Sequence, residues 1–139
     1  DELEIVTDWE GWRRDHFTPA ELGDPTISGP DANPDGDALV NLQEFLHVRD
    51  PNGFEIGDPV SSSLNGSNQT EWSFPRRIER GGTTLTVRVS SSPDMSGATV
   101  LTGPATAGID AETETATYTD TTAVTPTSPR YFQIEITTP

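Results

Sequence analysis

Thr84-Leu85-Thr86-Val87-Arg88-Val89-Ser90 puts Leu85, Val87 and Val89 on one side of an extended chain and Thr86, Arg88 and Ser90 on the other. Successive side chains of a pleated strand point to opposite faces, so this period of two predicts a strand buried on one side. The same alternation recurs outward from it. Trp72 and Phe74 alternate with Glu71 and Ser73, and Ala116 and Tyr118 with Thr115, Thr117 and Thr119. Phe132, Ile134 and Ile136 alternate with Tyr131, Gln133 and Glu135. Turn-forming clusters separate these runs: Gly81-Gly82, Ser91-Ser92-Pro93-Asp94, Gly103-Pro104 and Thr125-Pro126. Short alternating segments with such punctuation predict an antiparallel β-sandwich over residues 59–139. Its Thr-rich outward positions suit a solvated sheet face.

The composition of the 139 residues limits what the chain can do. Only 31% of them are hydrophobic and the net charge is -15, with 23 Asp and Glu against 8 basic residues, all Arg. A nucleic-acid binder needs a basic face, which this chain cannot assemble. A membrane-spanning helix needs about 20 apolar residues in a row; the longest apolar run here is Ala38-Leu39-Val40. With no Cys, disulfides and thiolate metal sites are excluded. The charge is lopsided: residues 1–58 carry a net -12 and residues 59–139 a net -3. Residues 1–58 are therefore expected to form a separate acidic, helical segment, joined to the sandwich near Asp50–Pro59. A metal ion would offset its clustered carboxylates and add binding free energy to folding.

Within the acidic segment, Asp8 can cap a short helix whose Trp9, Trp12, His16 and Phe17 share one face. Thr18-Pro19-Ala20-Glu21 has the form of a capping box with proline at the first helical position. Asn33-Pro34-Asp35-Gly36-Asp37-Ala38-Leu39-Val40-Asn41-Leu42-Gln43-Glu44 then aligns with the 12-residue EF-hand calcium loop. Side-chain oxygens fall at loop positions 1, 3, 5, 9 and 12, which are Asn33, Asp35, Asp37, Asn41 and Glu44, and position 7, Leu39, offers its carbonyl. The spacing reflects the ion: calcium is a hard cation that takes 6–8 oxygens, and a tight loop turns alternate residues inward. Glu44, from the first turn of the exit helix, is the bidentate candidate. Leu39, Leu42, Phe45 and Leu46 form that helix's apolar stripe, with Asp50-Pro51 expected to stop it. Two positions depart from the pattern. Asn33 is neutral, and Ala38 stands where glycine makes the sharp turn, so a left-handed Ala38 would cost about 1 kcal/mol. A frame starting at Asp31 puts Gly36 at position 6 but loses the terminal acid to Leu42. The Asn33 frame is therefore preferred, with Asp31 as an outer ligand. Three formal charges imply a weak site, on the order of 10⁻⁴–10⁻³ M.

The run Glu21–Phe45, with its Trp12 and Phe17 lead-in, resembles a segment found near the C-termini of large secreted proteins of Verrucomicrobia and Planctomycetes. Its loop is similar to those of dockerins and thrombospondin type 3 repeats. The resemblance implies a calcium-stabilised, non-catalytic connector before a C-terminal β domain, and an extracellular or cell-surface location.

Catalytic signatures are sparse. His16 and His47 lack a third donor at zinc-motif spacing. There is no Gly-x-Ser-x-Gly elbow, and a phosphate-binding loop is impossible without Lys. The acids of the β half are too scattered to suggest a glycosidase pair. No enzyme is expected. Trp72, Phe74, Tyr118 and Tyr131 form either a core or a sugar-stacking face. Arg76, Arg77 and Arg80 are either a solvated loop or a dock for an acidic segment. Asn65-Gly66-Ser67 and Asn68-Gln69-Thr70 fit the glycosylation sequon but read as turn chemistry. Leu3-Glu4-Ile5-Val6 is β-prone and could add a strand to this domain or to a second copy of it; repeated head to tail, the latter builds a filament. The expected function is a calcium-stabilised extracellular structural module that takes part in cell-surface or extracellular assembly. The alternative is an accessory polysaccharide-binding module of a secreted enzyme.

Overall fold

The computed structural model describes residues 8–53 and 57–139; the strand expected at Leu3–Val6 lies outside them. Its elements are helices α1 (Trp9–His16), α2 (Pro19–Leu22), α3 (Pro25–Ser28) and α4 (Asn41–His47). They are followed by strands β1 (Ser61–Leu64), β2 (Gln69–Arg77), β3 (Thr84–Ser90), β4 (Thr99–Leu101), β5 (Ala105–Gly108), β6 (Thr113–Ala123) and β7 (Tyr131–Thr137). Two compact units result. One comprises Asp1–Asp58, Arg76–Thr84 and Ile136–Pro139, the other Pro59–Pro75 and Leu85–Glu135. Among the described residues, no helix is long and apolar enough to cross a membrane.

The first unit is built on local capping. Asp8 accepts the Gly11 N–H at 2.7 Å and starts α1. Thr18 and Glu21 close the capping box of α2, with Pro19 at its first position. Each satisfies backbone donors that a helix start leaves without an internal partner. The Trp9, Trp12 and Phe17 face packs with Leu42 and Phe45, and Leu22, Ile27 and Ile136 cover it. Trp9 stacks on Trp12 at 5.3 Å, and Phe45 meets both indoles edge-on. Helix α4 stops earlier than the proline signal predicts. It ends at His47, with Val48 left-handed at φ 57°, ψ 52° and the Arg49 N–H closing back on the Glu44 carbonyl at 2.8 Å. That closure satisfies end carbonyls in the manner of a Schellman cap, at the cost of a β-branched residue in the left-handed region.

The second unit contains the sandwich. Its sheets run β1-β2-β6-β5 and β4-β3-β7. Antiparallel registers include Ser62↔Trp72, Val87↔Leu101 and Ala105↔Thr117. Trp72 of the larger sheet stacks on Phe132 of the smaller at 4.8 Å. Phe74 lies on Tyr118 at 5.8 Å, and Val87 and Val89 are fully buried between the sheets. Trp72, Phe74 and Tyr118 are thus core residues, and only Tyr131 of the four aromatics is exposed. The inward row of β6 continues past Ala116 and Tyr118 to a buried Asp120, which accepts from Arg130 Nε at 2.6 Å. The first sequon forms the β1–β2 turn, with the Asn65 carboxamide oxygen accepting the Ser67 and Gln69 N–H groups and Asn68 at φ 57°.

Arg77 is neither solvated nor loop. It is buried in the first unit, its Nε donates to the Phe45 carbonyl at 3.0 Å, and its guanidinium lies 4.8 Å from the Phe45 ring centre. It therefore caps the core cluster through a backbone carbonyl and a cation–π contact.

Candidate metal centre

The loop 33–44 folds back on itself through its own short polar side chains. The Asn33 amide nitrogen donates to the Asp37 carbonyl at 2.6 Å, and the Gly36 N–H returns to the Asn33 carbonyl at 3.2 Å. Asp35 Oδ1 accepts the Asp37 N–H at 3.1 Å, and Asp37 Oδ1 accepts the Leu39 N–H at 2.9 Å. These Asx turns fix the orientation of both carboxyl groups against the loop backbone. The left-handed turn falls on Gly36, at φ 73°, and not on Ala38. The expected strain at Ala38 is therefore absent, because the chain reverses two residues earlier, where glycine tolerates it.

Helix α4 supplies the rest. It begins after Val40, whose N–H is accepted by Gln43 Oε1 at 3.0 Å. Asn41 and Glu44, three residues apart, share a helix face. Glu44 is 1% exposed and Asn41 0% exposed. Asp35, Asp37 and Glu44 each place a carboxylate oxygen within 4.8 Å of the other two. Asp35 Oδ2, Asn41 Oδ1 and both Glu44 oxygens are buried without a hydrogen-bond partner.

Such an arrangement is costly unless something joins it. Three carboxylates at this spacing repel by about 3 kcal/mol per pair at an effective dielectric of 20. Buried oxygens without donors add a desolvation cost of about 1–3 kcal/mol each. One divalent cation removes both costs, so the donor set fits a bound metal. Of the six expected ligands, the structure gathers the Asp35, Asp37 and Glu44 carboxylates. Asn41 Oδ1 is buried without a hydrogen-bond partner, and the Leu39 side chain is buried. The Asn33 amide nitrogen serves as a brace across the loop. Asp31 is exposed, and neither it nor either histidine belongs to the carboxylate group. His16 stacks on Trp12 at 4.9 Å, and His47 is buried at the end of α4. What spacing alone missed is the frame behind Asn41, since the contacts that hold it reach back 12 and 14 residues.

Burial, followed by the adjacent Asp35 and Asp37 carboxyls, pushes the Glu44 carboxyl up from 4.5 to about 9. In metal-free solution the folded state therefore holds a proton that the unfolded state has lost. Stability from this group is complete below pH 4.5 and falls as pH rises toward 9, by about 3 kcal/mol at pH 7. The unfolding midpoint in metal-free buffer should accordingly drop between pH 5 and pH 8.5. The drop should be shallower in Glu44→Gln, which separates Glu44 from the general acidity of the chain; equal slopes would remove Glu44 as the titrating group.

Compared with protein-family models and with curated proteins, the chain matches none.

Proposed function

We propose that this chain is a non-enzymatic, calcium-stabilised extracellular structural module that takes part in cell-surface or extracellular assembly through subunit contacts. The observation that carries the calcium reading is the set of buried, partnerless oxygens on Asp35, Asn41 and Glu44. All are hard oxygen donors and one is a neutral amide, which suits calcium. Zinc prefers nitrogen and sulfur, and magnesium demands a stricter octahedron that keeps its waters. A site with three formal charges binds in the range filled by extracellular calcium, on the order of 10⁻⁴–10⁻³ M. The assembly reading rests on the β-prone Leu3–Val6 segment and on the resemblance of residues 21–45 to connectors of large secreted proteins. The polysaccharide alternative loses its platform, because Trp72, Phe74 and Tyr118 are core residues.

Thermal unfolding with calcium and with excess EDTA, followed alongside light scattering, tests both halves. At 10 mM calcium and a Kd near 10⁻⁴ M, binding contributes about 2.7 kcal/mol and raises the midpoint by about 10 °C. Magnesium at the same concentration should raise it far less. Particle growth with calcium supports assembly; a strictly monomeric protein at high concentration would reject it. An unchanged midpoint would reject the metal.

A further inference from the structure

We infer that Arg13, 20 residues before the first residue of the loop, is a positioning residue for the metal centre, acting through Ser28 and the Ile27–Gly29 backbone on Asn41. The inference rests on the calcium reading above and extends it to residues that no ligand motif contains. The Asn41 side chain is fully buried and anchored through its amide nitrogen. Its Nδ2 donates to the Ile27 carbonyl at 2.8 Å and to the Gly29 carbonyl at 3.0 Å. With both amide hydrogens committed to carbonyls, the oxygen must face the other way. That oxygen, Oδ1, is buried and without a donor. The amide is therefore held as an oriented neutral donor on the Glu44 face of α4. The backbone repeats the clamp, the Asn41 N–H donating to the Ala32 carbonyl at 2.8 Å and the Leu42 N–H to the Pro30 carbonyl at 3.0 Å. Residues 27–32 thus form a cradle for the start of α4.

The cradle is itself held by Arg13. Its Nε donates to the Ser28 carbonyl at 2.9 Å, and Nη2 donates to Ser28 Oγ at 3.0 Å and to the Leu22 carbonyl at 3.2 Å. Ser28 is fully buried, and its hydroxyl donates on to the Glu21 carbonyl at 2.8 Å. Gly29 is needed at the next position, since a Cβ there would collide with the Pro25 carbonyl oxygen. Glu10 pairs with Arg13 Nη1 at 2.9 Å, which occupies the remaining arm of the guanidinium. A fork of five fixed donors can bridge three acceptors on two helices, and the single ammonium of Lys cannot reproduce this. Groups that orient a ligand from behind are typically worth 10–100-fold in metal affinity.

The test is calorimetric titration of the full chain with calcium chloride, at a temperature where circular dichroism shows each variant folded. Arg13→Gln and the milder Ser28→Ala should weaken calcium binding about tenfold without removing any ligand, and Arg13→Lys should recover only part of the loss. Asn41→Asp is the sharper variant. Counting charges, an added carboxylate should tighten binding; here it should weaken binding, because Asp cannot donate to the Ile27 and Gly29 carbonyls and would face them with negative charge. Wild-type affinity in both Arg13→Gln and Ser28→Ala, whatever their midpoints in EDTA, would overturn the positioning role, as would tighter binding by Asn41→Asp. If the wild-type chain itself takes up no calcium, the metal reading fails first and this inference with it.

Discussion

Glu44→Gln should abolish the calcium-induced rise in the unfolding midpoint and, in metal-free buffer at pH 8, should unfold at a higher temperature than the wild type. The two effects have one cause. Glu44 is 1% exposed with both oxygens unpartnered, among carboxylate oxygens all within 4.8 Å of one another. Calcium needs that charge and that pair of oxygens, and Gln supplies neither the charge nor the second acceptor. Without calcium the charge is a burden, which is why the proton is held up to about pH 9. Gln has the same shape, carries no charge and offers an amide N–H that Asp35 Oδ2 can accept. The expected gain in metal-free buffer is about 1–3 kcal/mol, the cost of leaving such a group unsatisfied. The expected loss at 10 mM calcium is the whole binding contribution of about 2.7 kcal/mol. Plotted against calcium concentration, the two midpoints cross. A Glu44→Gln protein that rises in parallel with the wild type would place the ion elsewhere. One that is less stable than the wild type in EDTA would mean that Glu44 has a donor in the folded state.

The parts of this fold that could be read in advance are those where burial is one-sided and local. Val87 and Val89, Ala116 and Tyr118, and Trp72 and Phe74 are buried in alternation because a strand in a two-layer sandwich has only one inner face. Asp8 and Thr18 were legible for a similar reason, since a helix start needs an oxygen acceptor wherever the chain continues. The loop spacing was legible in part, since the fold does bring Asp35, Asp37 and Glu44 of that spacing together. Legibility ended where distant packing outweighed local preference. Val48 is left-handed although its Cβ branching disfavours that region, because the end of α4 closes back on Glu44. Arg77 stood in a cluster of charges, and nothing nearby marked it as the lid over Phe45, 32 residues away. The same holds for the Arg13–Ser28–Asn41 line, whose members meet only after α1, α2 and α3 have packed. Asp120 was readable in principle. It continues the inward row of Ala116 and Tyr118, and an acid on a buried row demands a cation, which Arg130 supplies.

That pair leads to the other large effect. Arg130→Met should destabilise the sandwich by about 3–5 kcal/mol, because it leaves a buried carboxylate without its counter-ion. Asp120 is 1% exposed on the inner face of β6, and Arg130 Nε lies 2.6 Å from Oδ2. Water cannot replace the guanidinium there as it would at a surface pair, where the loss is typically under 1 kcal/mol. The remaining partner of Asp120, the Thr122 N–H at 3.0 Å from Oδ1, is neutral and already engaged. The double variant Arg130→Met with Asp120→Asn should recover most of the loss. It removes the stranded charge, while the Asn oxygen still accepts the Thr122 N–H. Denaturant unfolding of the two single variants and the double variant in calcium-saturated buffer measures the coupling. A large positive single effect with a near-neutral double means that the pair is matched more than it is stabilising, as expected when desolvation offsets attraction. A single variant that costs less than 1 kcal/mol would mean that solvent reaches Asp120, so that β6 does not bury this end of its inner row.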